Sequence, residues 1–287
     1  MRFLATIVSA ALLTACATIA DAPPARLAAD PFYRKHVDAA GIPILSSARV
    51  PDAALFAARD MVRGMLAHRP DLAAWLVSND YRIALISRDE ALLDLPENAD
   101  WTKPARDDPR LTRCELKHYD ERIGSKTDRE YWDERARGIG GERMVGSEED
   151  VLGLPISRYW GETIFVHEFA HNVLFAIEGA DQGLYERVTA AYANALANDL
   201  WFEEYTTTTM QEYWAEGTQF WFNSNRLQAF DGRRILNARD LADYDPQLYA
   251  VLAEAYGDSH ELVSDPFYMH PARVPPGPPP LNTAEVC

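Results

Sequence analysis

Apolar positions recur along the chain with different periods, and the changes of period mark its elements. Residues 3–13 form an apolar run behind Arg2, too short for a stable bilayer-spanning helix. From about Asp30 the pattern becomes globular, beginning with a short apolar run at 42–45. Residues 52–66 put Leu55, Ala58, Met61 and Met65 on one helical face, and 71–77 continues as a second short helix. Residues 81–86 alternate in the manner of a half-buried strand. Residues 94–135 are polar and without period, which predicts surface loops. Val166, Phe169, Ala170, Val173, Leu174 and Ile177 then return at helical spacing, with Gly179 as the expected stop. Leu184, Val188, Tyr192 and Leu196 predict a packing helix, and residues 240–256 a further helical region. From Pro271 the chain is Pro-dense and predicts an extended tail, wrapped on the surface or free in solvent. The pattern predicts an α+β fold, helix-rich, with a small sheet beside the helix around residue 170. No Gly/Ser/Pro-rich linker interrupts residues 31–265, so one domain is expected, with 31–90 as its strand–helix–strand part.

Composition narrows the partners. The formal charge is −16, from 28 basic and 44 acidic residues, which disfavours nucleic acid and anionic membrane surfaces. Residues 1–15 read as a targeting segment. Their end, Leu13-Thr14-Ala15-Cys16, resembles a bacterial lipobox, which implies lipidation of Cys16 and anchoring in the cell envelope by acyl chains. Ala17 at the next position points, by analogy, to the outer membrane. The alternative is a cleaved secretory signal with an ordinary Cys16. Residues 16–30 then serve as a tether and 266–287 as the tail. Cys114 and Cys287 are the other cysteines; in an oxidising compartment they can pair, and two free thiols are the alternative.

The chemistry lies in the periodic segment around residue 170. His167-Glu168-Phe169-Ala170-His171 reads H-E-x-x-H, which sets two imidazoles on adjacent turns of one helical face. Neutral imidazoles suit zinc, a catalytic zinc wants a third protein ligand and an open position, and Glu168 sits where it can take a proton from water. Leu174 and Ile177 stand where the long metzincin motif needs glycine and histidine, so that class is excluded. The third ligand is sought instead on residues 205–222, where Glu212 and Glu216 share a face among aromatics. One carboxylate binds the metal while the other orients an imidazole, and spacing alone does not separate the two roles. Residues 137–141 (Arg-Gly-Ile-Gly-Gly) lack the lysine and the context of a phosphate loop and read as a tight turn. Residues 147–150 read as a helix N-cap followed by acidic first-turn residues, close enough to the motif to frame a cleft.

With these two segments the chain resembles the gluzincin metallopeptidases, in particular the catalytic domain of anthrax lethal factor and the Mlc titration factor A peptidases. The resemblance implies Glu212 as third zinc ligand, Glu216 beside a histidine ligand, and Tyr205, seven residues before Glu212, as a transition-state donor. It implies a zinc peptidase acting on peptide or protein substrates. The competing class is a lipoprotein that keeps the scaffold and binds a partner without cutting it, and hydrolysis of a non-peptide amide is a third reading.

Overall fold

The computed structural model describes residues 20–230 and 232–278. Strands β1 (Lys35–Ala39) and β2 (Ile42–Ser46) pair antiparallel across Ala40-Gly41, where both residues have positive φ. Two such residues make the turn whose twist matches a hairpin. Helices α1 (Asp52–Leu66) and α2 (Pro70–Ser78) carry the chain over to β3 (Arg82–Ile86), which lies parallel to β2. The face predicted for α1 is the buried one. β3 is not half-buried as its alternation suggests. It lies between β2 and β4 in a sheet ordered β1-β2-β3-β4, and both its faces are covered.

Before β4 the chain makes a long excursion. It contains α3 (Arg113–Lys117), one π-helical turn at Asp120–Gly124, and α4 (Asp128–Arg135). Both helices start from a Thr–Glu capping box, Thr112 with Glu115 and Thr127 with Glu130, so residues 94–135 hold more local order than surface loops. Strand β4 (Arg143–Ser147) pairs parallel with β3, and α5 (Glu148–Val151) follows directly.

The second half is helical: α6 (Ile164–Ala180), α7 (Gln182–Ala197) and α8 (Met210–Trp221) precede a β5 (Gln228–Phe230)–β6 (Arg233–Ile235) hairpin. Helices α9 (Ala238–Tyr244) and α10 (Pro246–Tyr256) complete it. They replace the single helical region expected at 240–256. Pro246 can open a helix but not continue one, and the buried Asp245 carboxylate caps the new start by accepting the Leu248 N–H. Gly179 is not a stop either: α6 runs past it, and a Cβ there would lie 2.2 Å from the Trp75 ring. Glycine lets α2 approach α6.

The main core forms where α6 crosses α8, around the fully buried Phe165, Phe169, Trp214 and Phe220. The Trp214 indole N–H donates to the Ala170 carbonyl at 3.0 Å, which fixes how far one helix can slide along the other. The stretch expected as a tether is docked from Ala20 onward, through an Asp21–His36 bridge to β1 and the buried Leu27. The Pro-dense tail wraps the surface as far as it is described, with Arg273 buried. No helix among the described residues is long and apolar enough to cross a membrane. Residues 1–15, expected to act in targeting, and Cys16 lie outside the described residues.

Candidate metal centre and its cleft

Helix α6 starts with Asp150 of α5 accepting the Ile164 and Phe165 N–H groups at 3.1 and 2.8 Å. Residues 147–150 therefore act less as the start of their own helix than as the cap of the next one, and all three acidic side chains are buried. This satisfies donors that a buried helix end would otherwise leave unpaired. From that fixed start α6 turns His167, Glu168 and His171 toward a cleft of about 1180 Å³.

Helix α8 supplies the facing groups. Its Thr209 hydroxyl caps the Glu212 N–H, so Glu212 sits in the first turn, where the helix dipole favours a carboxylate. Glu212 Oε2 lies 2.9 Å from His167 Nε2 and 3.9 Å from His171 Nε2. One ligand atom from each of the three residues falls within 4.8 Å of the others. Glu216, one turn on, faces the opposite side of the His167 ring, with Oε1 3.4 Å from Nδ1. Its Oε2 accepts the amides of Asn225 and Gln228 at 2.8 and 2.9 Å. The geometry thus brings Glu212, and not Glu216, to the Nε2 atoms.

A residue that spacing did not single out orients His167. Gln219 Nε2 donates to the Thr163 carbonyl at 3.1 Å, so the other end of the amide, Oε1, must be the acceptor. It lies 3.0 Å from His167 Nδ1, which places a proton on Nδ1. In the neutral ring Nε2 then carries a lone pair toward the Glu212 oxygen 2.9 Å away. Two acceptors at that distance require a proton or a cation between them. Gln219 stands at i+7 from Glu212, on the face shared by Glu212 and Glu216, so helical period was the signal that could have found it.

The charges point the same way. Burial opposes an imidazolium at His167, yet hydrogen bonds to Glu212 and Glu216 outweigh it and raise its pKa well above the ordinary value. Burial, with the charge of His167 beside it, pushes His171 down to about 4. Burial raises Glu168, aided by the Glu212 charge. Burial also works against the Glu212 carboxylate, but His167 holds its pKa below the usual range. Two imidazoles and one carboxylate converge, with two further carboxylates close by. That donor set fits a divalent cation such as zinc.

The turn at 137–141 belongs to this site. Ile139 pairs with Val145 of β4 through two backbone hydrogen bonds, and Asn172 of α6 accepts the Gly141 N–H at 2.7 Å. The Gly140 backbone lies against Glu168 and favours the charged form of its carboxylate. A Cβ on Gly140 would fall 2.9 Å from His171, and one on Gly138 would fall 3.0 Å from Glu168. The glycines are there because this backbone runs against the motif. Arg137 anchors it, donating to both oxygens of the buried Glu149 at 2.7 and 3.1 Å.

Tyr205, on a single 3₁₀ turn ahead of α8, donates its hydroxyl to Glu212, and its ring lies 6.5 Å from that of His167. Burial and the Glu212 charge raise its pKa. Across the cleft, residues 100–136 form a wall where surface loops were expected. Trp101, Leu111, Tyr131 and Trp132 line it, and the rings of Trp101 and Trp132 lie 4.8 Å apart. Cys114 of α3 belongs to this wall segment and is disulfide-bonded; Cys287, suggested as its partner by the sequence, lies outside the described residues.

The chain matches no known protein-family description and no curated protein. Fourteen solved chains match it. One is a Pro-Pro endopeptidase from Paenibacillus alvei, 15% identical, with a TM-score of 0.48 over 74% of this chain and 96% of that one.

Proposed function

We propose that the protein is a zinc-dependent peptidase of the gluzincin type, exported and held in the cell envelope, outer membrane favoured, by lipid on Cys16. The observation that carries the catalytic reading is the meeting of His167, His171 and Glu212 in an open cleft, with Glu168 beside them. His167, His171 and Glu212 hold the metal, and Gln219 with Glu216 keeps the His167 ring in the tautomer that binds it. Zinc, when bound, supplies a Lewis acid for the scissile carbonyl and lowers the pKa of water.

Glu168 takes the proton of the attacking water and passes it to the leaving amine. Its pKa, raised by burial, suits the first step, since a stronger base takes the proton from water more readily. The Gly140 backbone favours the charged form of the carboxylate meanwhile. The Tyr205 hydroxyl shifts from Glu212 to the oxyanion as charge develops there. By strand alternation Gly138 turns its backbone away from β4, toward the cleft, where an extended peptide can pair with it. Removing water as the peptide binds strengthens each of these interactions.

The test is cleavage of a diverse peptide library by the zinc-loaded protein with Glu168→Gln and Glu212→Gln alongside. Glu168→Gln keeps one zinc and loses about 10²–10⁴-fold in kcat; Glu212→Gln loses stoichiometric zinc. A fully active Glu168→Gln would end this mechanism, and full zinc retention in Glu212→Gln would remove Glu212 from the ligand set.

A further inference from the structure

We infer that Arg226 anchors the substrate by a carboxylate, either the C-terminal one or that of an Asp or Glu side chain, at the end of the cleft where α6 begins. This names the substrate class of the site described above and rests on the peptidase reading.

The segment that presents Arg226 is held on both sides. The Asn225 amide donates to Glu216 at 2.8 Å, and the Asn225 carbonyl accepts Arg273 Nε at 2.7 Å. The Leu227 N–H donates to the Arg273 carbonyl at 2.8 Å, and the Gln228 amide donates to Glu216 at 2.9 Å. Glu216 in turn faces the His167 ring. Arg226 thus stands on the framework that orients a candidate metal ligand, which fixes its place relative to the reacting centre.

The side chain is held as firmly. Gly161 has φ +106, and a Cβ there would fall 2.5 Å from the Ala272 carbonyl oxygen and 3.3 Å from Arg226 Cγ. The glycine turn therefore packs against the arginine stem. At the head, Nη2 donates to Oε1 of the buried Glu162. A guanidinium carries five N–H donors, and among the described residues no second acceptor reaches this one. The side chain is 41% exposed and lines the cleft. An arginine fixed at its stem and at one nitrogen, with donors still open, loses little freedom on binding and matches a carboxylate in two-pronged fashion.

The other arginines of the cleft are placed differently. Arg110 is largely exposed and already gives two donors to Asp108. Arg135 is half-exposed and stands 3.7 Å from Glu115. Much of the remaining lining is acidic, with Asp100, Asp108, Glu115, Glu168 and Glu212. A peptide carboxylate meets like charge along most of the cleft, so Arg226 sets the register of an acid-bearing peptide along residues 138–140. Leu227 and Ile164, near Arg226 and Glu162 in the chain, also line the cleft, and their apolar surface strengthens a charge pair formed beside them.

The experiment gives the zinc-loaded protein pairs of peptides that differ in one group: C-terminal acid against amide, and Glu against Gln at each internal position. One carboxylate-bearing member should exceed its neutral twin about ten-fold in kcat/KM, mostly through KM, as a charged hydrogen bond supplies. An acid-over-amide preference assigns the C-terminal carboxylate; a Glu-over-Gln preference at one position assigns a side chain. Arg226→Met should bring the ratio to about one. That change leaves Glu162 buried without its partner, so Arg226→Met combined with Glu162→Gln is the second variant. Each ratio is taken within one preparation, where partial unfolding cancels. The same pairs, fluorescently labelled, are titrated onto zinc-loaded Glu168→Gln with and without Arg226→Met, and their Kd ratios should follow the same pattern. If no form cleaves any peptide, the peptidase reading fails, and the Kd ratios still decide the role of Arg226. Acid and neutral twins alike in every pair, absence of binding included, or a ratio that persists in both Arg226 variants, would overturn the inference.

Discussion

The α6/α8 side of the cleft and the 100–136 side are built differently, and the division of labour follows from that. On the first, Phe165, Phe169, Tyr213, Trp214 and Phe220 are fully buried. Such rings bury 150–250 Å² each and leave the ligands no freedom to wander. On the second, Trp101 and Trp132 are half-buried. Much of the order there comes from exposed ion pairs, such as Arg129 with Asp94 at 2.7 Å and Asp133 at 2.8 Å, and exposed pairs contribute about 0–1 kcal/mol each. A metal site needs its ligands held to within fractions of an ångström, which packing supplies. A wall that contacts substrate side chains tolerates and even uses the looser construction.

The sharpest test of this contrast is a matched pair of truncations. Phe165→Ala should cost about 3–5 kcal/mol of unfolding free energy in denaturant. Trp132→Ala should cost clearly less and instead raise KM for peptides. Equal destabilisation by both would show that the two walls are one rigid body. A smaller effect is expected just outside the ligand set: Gln219→Leu and Glu216→Gln should each weaken zinc about 10–100-fold in competition with a chelator. Unaltered affinity in Gln219→Leu would leave the orienting role to Glu216 alone.

The least effect concerns Asp265, whose carboxylate accepts the Thr163 hydroxyl at the start of α6 and the Phe267 N–H at 2.9 Å. Burial lifts its pKa from 3.8 to about 6. The folded chain then keeps a proton that the unfolded chain has lost, so this group's contribution to stability falls as pH rises from about 4 to 6. Asp265→Asn should flatten the stability profile in that window by up to about 1.4 kcal/mol per pH unit. An unchanged slope would show that Asp265 ionises as it does in the unfolded chain.

What the sequence made legible follows the same division. The buried face of α1, the strand at 82–86 and the apolar side of α6 are periodic because one face of a regular element meets the core, and the period survives in a single sequence. His167, Glu168 and His171 share one helix, and Glu212 with Glu216 another, so each set could be read from local spacing. The choice between the two glutamates could not, because it depends on Asn225 and Gln228 holding Glu216 away. Asp150 as the cap of α6 and Arg137 as the anchor of the glycine turn were hidden for a related reason. Their partners are distant in the chain, and no local pattern records a long-range hydrogen bond. The 100–136 wall escaped because its short capped turns carry no period, and half-exposed aromatics look like any others in a polar stretch.

The order of the chain adds a consequence in time. Glu216 is held by Asn225, Asn225 by Arg273, and Thr163 by Asp265. The motif helix and its partner helix are synthesised long before residues 265–273 emerge to complete those bonds, and domains fold largely as they leave the ribosome or translocon. For that interval a chain carrying the whole H-E-x-x-H motif lacks the bonds that finish its site. The site would be complete only once Arg273 has emerged, so a message broken upstream of Arg273 would yield a protein with the motif but without a finished site.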